Sequence, residues 1–366
     1  MSKVSITESL LTDIADAIRA KTGGSGQMTP AEMAQEIADI PQGANEPYVE
    51  YNLLCTKVHG YSGAEMPDYL LYHCHTRDID FSGCPGLTVL ADFSMGYTGP
   101  DTGSYNLTIP ASVLEIGRSC FEGSRLHPSL PSGLTYLDVA AFKNSGFVGT
   151  SLPSGLTSIQ SECFSGCKMT AMTVHGGITS IGDNAFYNCT SLANLSIQSG
   201  VASIGASAFR KCTALTSVTL PSTVTSLGSN GFAECSHLAS IDLGGITSME
   251  QQVLSACNAL TSLVIPASVT NIKLYAIYMC AGLASLDVCG AASIAKTAFF
   301  KLTGLRSVKF RASGCTIDSA AFNSCANLTD IYVPWSLGDV AGAPWGATNA
   351  TIHYDTQYDA NGNVIS

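Results

Sequence analysis

The residues best suited to chemistry are thiols and imidazoles. The chain carries 14 cysteines and 7 histidines. Cys55-x-x-x-His59 and His73-Cys74-His75 crowd five nitrogen and sulfur ligands into one short stretch. If 69–75 is a strand, His73 and His75 share a face and could both donate nitrogen to zinc. The spacing matches no established zinc signature, so the simpler reading is a cap strand with two surface histidines and no metal. A second set, Cys84, Cys167, Cys189, Cys212, Cys235, Cys257, Cys280 and Cys325, sits three residues after a bulky apolar position each time. On that inward phase a cysteine behaves as a small buried hydrophobe. A disulfide or metal ladder would need neighbouring thiols to converge, and stacking on the outer side of an array is expected to spread them. No G-x-S-x-G, H-E-x-x-H, P-loop lysine or G-x-G-x-x-G occurs, and no carboxylate pair or Ser/His/Asp set recurs. The chain therefore reads as no enzyme and as needing no cofactor. The sequons at Asn106, Asn188, Asn194, Asn327 and Asn349 arise readily in this composition and read as unglycosylated.

The elements that hold these residues repeat. A bulky apolar anchor recurs at Phe121, Phe142, Phe164, Phe186, Phe209, Phe232, Leu254, Ile277, Phe299 and Phe322, in steps of 21–23 residues. Around Phe209 one copy reads I-G-x-x-A-F-x-x-C-x-x-L-x-x-V-x-L-P-x-x-V-T-x-L. Leu215-x-x-Val218-x-Leu220 alternates apolar and small polar residues, the pattern of a short half-buried strand. Pro221 ends or edges it, and Val224 and Leu227 re-enter the core after a turn. The spacing of Ala208-Phe209-x-x-Cys212 suits a single helical turn on the opposite side. One copy buries too few side chains to offset the ordering of its own backbone, so each must stack on its neighbours and pair strands into a parallel sheet. The expected fold is an α/β solenoid. A degenerate earlier copy surrounds Phe81-Ser82-Gly83-Cys84, ahead of a Gly- and Tyr-containing insertion near 94–106.

The L-x-x-L-x-L core at this period matches leucine-rich repeats. The fuller wording, with its Ala-Phe turn, its Cys and its strand-ending Pro, resembles the BspA-like leucine-rich repeat family over roughly residues 110–354. That resemblance implies a surface or secreted protein concerned with adhesion and protein binding, without catalysis. Departures are Leu254 and Ile277 at the Phe position, Leu302 at the Cys position, and several missing prolines.

Both ends differ from the repeat. Ser5-Ile6-Thr7-Glu8 is a capping box before an apolar stripe of Ile6, Leu10, Leu11, Ile14 and Ile18. Thr29-Pro30-Ala31-Glu32 opens a second helix, with Met28 and Met33 as its staple. Residues 1–41 are thus expected to form a helical hairpin with more apolar face than it can bury internally, an attachment module for self-association or a larger assembly. Leu10–Gly23 and Thr29–Ala34 resemble an N-terminal module of phage and prophage tail-associated proteins, which implies a tail or fibre component. Glu8, Asp13 and Asp16 fall where a signal peptide needs its apolar core, so no secretory signal is expected. That absence suits a virion component; otherwise it implies a cytoplasmic protein or one reaching the bacterial surface by a non-standard route. Residues 42–109 read as an N-terminal cap with the degenerate repeat, 110–333 as the solenoid, and 334–366 as a C-terminal cap. In that cap Trp335 and Trp345 pack against the last repeat, 351–354 forms a final strand, and the polar tail 355–366 frays.

Composition narrows the partners. With 17 basic against 28 acidic residues, the net charge of −11 leaves no basic excess for nucleic acid. No apolar run is long enough to span a bilayer. The remaining recognition surface is the outward side of the strands, which offers two columns. The first runs Asn194, Ser217, Ser240, Ser262, Ser285, Ser307, Asp330; the second runs Ser196, Thr219, Asp242, Val264, Asp287, Lys309, Tyr332. The candidate ligand-binding residues are Ser217, Thr219, Ser240, Asp242, Asp287, Lys309, Asp330 and Tyr332. The expected ligand is a protein or another cell-surface molecule, bound by a phage tail component or, alternatively, by a bacterial leucine-rich repeat adhesin or structural spacer.

Overall fold

A computed structural model of the chain describes residues 105–290 and 293–365, and before them 48–51, 55–59, 65–66, 68, 70–71, 78–81, 84 and 86–98. The expected helical hairpin of residues 1–41 lies outside the described residues. So do His73, Cys74 and His75. The chain divides into two compact units, Met1–Phe147 and Val148–Ser366.

In the first unit, four two-residue strands, Glu65–Met66, Val89–Leu90, Glu115–Ile116 and Tyr136–Leu137, pair in parallel, one per turn of chain. Tyr105–Thr108 pairs in parallel with Leu126–Ser129 on a second side. Ahead of them Tyr48–Tyr51 runs antiparallel to Cys55–His59, which pairs in parallel with Asp78–Asp80. Phe121 and Phe142 stack inside, with ring centroids 5.1 Å apart.

The second unit carries eight such turns, and the alternation of the sequence explains each one. In Ser217–Thr219, Val218 points inward and is buried while Ser217 and Thr219 face out. Leu220 completes the inward set, and the turn at Pro221 closes with Val224 N–H donating to its carbonyl at 3.0 Å. Ser226–Leu227 follows as the second, shorter strand. It pairs with Ser203–Ile204, and the same ladder continues back through Ser180–Ile181 to Ser158–Ile159. A matching ladder joins Ser248–Met249, Asn271–Ile272, Ser293–Ile294 and Thr316–Ile317.

The third side corrects the expected helical turn. Among the described residues there is no α-helix, so the unit is a β-solenoid and the α/β description fails. Around Phe186 the N–H groups alternate in direction. Those of Asn184, Phe186 and Asn188 donate to Ala206, Ala208 and Arg210 of the next turn, at 2.8–2.9 Å. Those of Ala185, Tyr187 and Cys189 donate three residues back, to Gly182, Asn184 and Phe186. Asn184 and Asn188 make this possible by taking left-handed conformations, with φ of 54° and 58°. The physical reason lies in the spacing. A helix is about 10 Å across, whereas stacked strands are about 4.8 Å apart, so a helix on one side would wedge each turn away from the next. Paired turns keep the strand spacing and still satisfy every second N–H from the neighbouring turn. Where Leu254, Ile277 and Phe299 are the anchors, the third side flattens into the strands Leu254–Ser255, Ile277–Tyr278 and Phe299–Phe300.

The anchors form the core. Phe164, Phe186, Phe209 and Phe232 stack at 5.1–5.4 Å between centroids, all fully buried. Near the end of the unit Trp335 and Trp345 close over Phe310, at 5.6 and 6.3 Å, and both are buried. They pack inward against the last repeat. Thr351–His353 adds a last parallel strand to Asp330–Tyr332.

Candidate functional site

The candidate residues all lie on the outward side of the longer strands of the second unit, in register. Ser217 pairs with Ser240 and Thr219 with Asp242. Two turns further on, Asp287 pairs with Lys309, Lys309 with Tyr332, and Ser307 with Asp330. The structure thus gathers them into two groups on different sheets, a two-stranded one and a five-stranded one. The first group is open: Ser217, Thr219, Ser240 and Asp242 are all exposed, as is Val264, at 53 %. The second is partly covered: Asp287, Lys309, Asp330 and Tyr332 are half-buried.

Two things cover it, and neither was anticipated. The first is Arg311, one residue past the strand Ser307–Phe310. Its guanidinium clamps Asp287, with Nε 2.8 Å from Oδ1 and 3.0 Å from Oδ2, and its terminal nitrogen closes on Oδ2. This pairing raises the Arg311 pKa above its ordinary value. Burial, then the nearby Asp287 carboxylate, also raises Cys289. The second is the segment after the last strand. The sequence reading leaves 355–366 frayed, but Tyr358 bridges Val364 in an antiparallel hairpin. Its loop is tied by Asp359, whose Oδ1 accepts from Asn361 and Asn363 N–H at 2.9 and 2.8 Å and whose Oδ2 accepts from the Asn363 side chain at 2.9 Å. These bonds lower the Asp359 pKa. The signal was present: Asp-x-Asn-Gly-Asn between two apolar residues is turn chemistry. At the edge of the group, Asp330 Oδ1 meets His353 Nε2 at 2.8 Å and its other oxygen accepts the Thr329 hydroxyl at 2.8 Å. Both contacts hold the Asp330 carboxyl below its usual range. Tyr332 stacks on the His353 ring at 4.4 Å.

The thiols behave differently from expectation in one respect. They are buried, but stacking gathers them. Cys189, Cys212, Cys235, Cys257 and Cys325 each donate Sγ–H to the anchor carbonyl of an earlier turn, at 3.1–3.2 Å, and Cys280 does so at 3.5 Å. Identical residues in register on successive turns must lie one above another, and the third side of the turn keeps that register. Burial, then a hydrogen bond with Cys189, drives the Cys212 pKa well up; burial pushes Cys235 to about 12. A thiol with such a pKa is a poor nucleophile and a poor metal ligand at neutral pH. Among the described residues no group of three or more His, Cys, Asp or Glu is placed to hold a metal ion.

Comparison with known proteins puts this geometry in context. The family described as BspA type leucine rich repeat region matches in six copies, over residues 101–193, 179–292 and 288–341. No curated protein matches the chain. Among solved structures, a leucine-rich repeat protein from Bacteroides ovatus superposes with a TM-score of 0.57 at 20% identity, over 86% of this chain and 90% of that one. A leucine-rich repeat protein from Eubacterium ventriosum gives 0.50 at 18% identity, over 78% and 82%. A leucine rich cell surface protein from Faecalibacterium prausnitzii gives 0.35 at 20% identity, over 75% and 96%.

Proposed function

From the premise that the chain belongs to the BspA-type leucine-rich repeat family, we propose that it is a non-enzymatic recognition protein that binds a protein ligand on the strand face of its second unit. One observation carries this reading. Inward positions repeat from turn to turn because packing constrains them, whereas the second outward column changes at almost every turn, from Thr219 through Asp242, Val264, Asp287 and Lys309 to Tyr332. A sheet that needed only solubility would tolerate throughout the serines that the first column keeps from Ser217 to Ser307. Ser217, Thr219, Ser240 and Asp242 supply its open part, and Asp287, Lys309, Asp330 and Tyr332 its covered part.

The setting that fits best is the bacterial surface, where the family resemblance places adhesive and protein-binding members. A phage tail-associated version of the same role rests on Leu10–Ala34 alone and gains no support from the similar proteins. In either setting residues 1–41 would serve attachment. No helix among the described residues is long and apolar enough to cross a membrane.

The test compares Thr219→Lys and Asp242→Arg with Ser203→Lys, on the short-strand side, for binding to a panel of immobilised extracellular proteins. The strand-face variants should lose about tenfold or more in affinity for whichever protein binds the unmodified chain, roughly 1.4 kcal/mol, while Ser203→Lys binds normally. Equal loss in all three, or none, would rule the strand face out.

A further inference from the structure

Beyond Thr351–His353 the chain reverses. Asp355 N–H donates to Trp335 O at 3.1 Å and Thr356 N–H to Val333 O at 2.9 Å, sending the hairpin back across the outward side of the strands. It lands on the part of the face that carries Lys309 and Tyr332. Lys309 Nζ donates to Gly362 O at 3.3 Å, and the Tyr358 hydroxyl donates to Tyr332 O at 3.3 Å. Gly362 lies against the Arg311 guanidinium, and a Cβ there would collide with it. Its φ of 77° also favours glycine. Burial, then the charge of Asp287, pushes the Tyr358 pKa to about 12.

The division of these bonds matters. The hairpin satisfies most of its polar groups internally, through Asp359 and through Asp359 N–H to Asn363 O, Gly362 N–H to Asp359 O and Ile365 N–H to Gln357 O, each at 2.9 Å. It gives the strand face one backbone carbonyl and one phenol. Beneath it Asp287 and Arg311 pair with each other, so that part of the floor does not depend on the hairpin. A preformed floor holding a self-contained turn by few bonds is the arrangement of a site with an exchangeable occupant.

We propose that the strand face at Asp287, Lys309, Arg311 and Tyr332 is a binding site for a polypeptide turn bearing a tyrosine and a glycine, and that the chain's own 357–365 hairpin occupies it as an intramolecular competitor. Recognition uses Lys309 for a backbone carbonyl of the turn, the Tyr332 carbonyl for the tyrosine hydroxyl, and the Arg311 guanidinium against the glycine, whose φ of 77° favours that residue. This rests on the strand-face reading above but uses different turns of the solenoid from its test.

The experiment uses the full chain and, as probe, a fluorescein-labelled peptide of residues 355–365, read by anisotropy. Tyr358→Ala with Gly362→Val should release the hairpin, seen as faster hydrogen exchange over 357–365, and should tighten peptide binding about tenfold or more, because the competitor no longer occupies the site. Adding Lys309→Ala and Arg311→Ala should reverse that gain, and a scrambled peptide should not bind. In the unmodified chain, excess peptide should itself speed exchange over 357–365, a result that needs no variant to fold. The proposal is overturned if released hairpin brings no gain in peptide binding, or if the hairpin stays protected in the double variant. It is likewise overturned if excess peptide leaves exchange in the unmodified chain unchanged. Loss of ligand at Thr219 and Asp242 with no peptide capture here would leave general recognition standing and remove only this site; the reverse would do the opposite.

Discussion

Cys235 shows how position in the array silences a reactive group. Burial opposes ionisation more than a backbone hydrogen bond with Cys212 favours it, so the proton stays on, shared with the Phe209 carbonyl. The same burial pushes Cys120 to about 12. In the native chain Cys235 should resist a thiol reagent at about pH 8 until the chain opens, while Cys289, half-buried, should react first among the described thiols outside the column. Prompt labelling of Cys235, located by mass spectrometry, would contradict this. Asp330 makes the opposite case. Its folded carboxyl is held below the ordinary value by His353 and Thr329, so its contribution to stability is present above the unfolded value, about 3.9, and is lost as pH falls through the folded one. The gap in urea midpoint between the unmodified chain and Asp330→Asn should therefore be open at about pH 5 and close by about pH 2. A gap independent of pH would show that the pairing contributes nothing through charge. The inward phase of the cysteines was readable from spacing alone. The approach of Cys212 to Cys189 and of Cys280 to Cys257 was not, because it depends on a neighbour some 23 residues away keeping register on a side of the turn whose conformation the sequence left open.

At the scale of the element, the strands and the turns carried different amounts of information. Alternation over Leu215–Leu220 marks inward and outward residues without reference to anything else, and the structure keeps that assignment. The Ala-Phe-x-x-Cys spacing fits a helical turn or a pair of tight turns equally well, since both return residues to the same side every three or four positions. Only the partner turn decides, by offering carbonyls at strand spacing to Asn184, Phe186 and Asn188. Phe209 lies between Phe186 and Phe232 in that arrangement. Phe209→Ala should cost about 3–5 kcal/mol, read as a fall in the denaturant midpoint. Because each turn leans chiefly on its neighbours, hydrogen exchange should quicken most in the turns flanking 209. A uniform rise across the unit would point to a single cooperative block instead.

For the whole molecule, the balance of charge and the two ends set the outstanding question of assembly. Residues 1–41 lie outside the described residues, and the attachment role proposed for them rests on their apolar residues Ile6, Leu10, Leu11, Ile14, Ile18, Met33, Ile37 and Ile40. Light scattering after size exclusion should return a mass above one chain for the full protein and one chain for a version lacking 1–41. Identical monomers would exclude self-association through that segment.

By itself the sequence determined the period, the inward phase of each anchor and cysteine, the strand side, and the family resemblance. These are all properties of residues within one turn, where covalent spacing fixes geometry. The tertiary structure decided the absence of helix among the described turns, the gathering of the thiols, the Asp287–Arg311 clamp and the hairpin over Lys309 and Tyr332. Each of those joins residues roughly 20 to more than 50 positions apart, and contacts at that range follow from how turns stack and where the chain doubles back, which no local pattern of residues encodes.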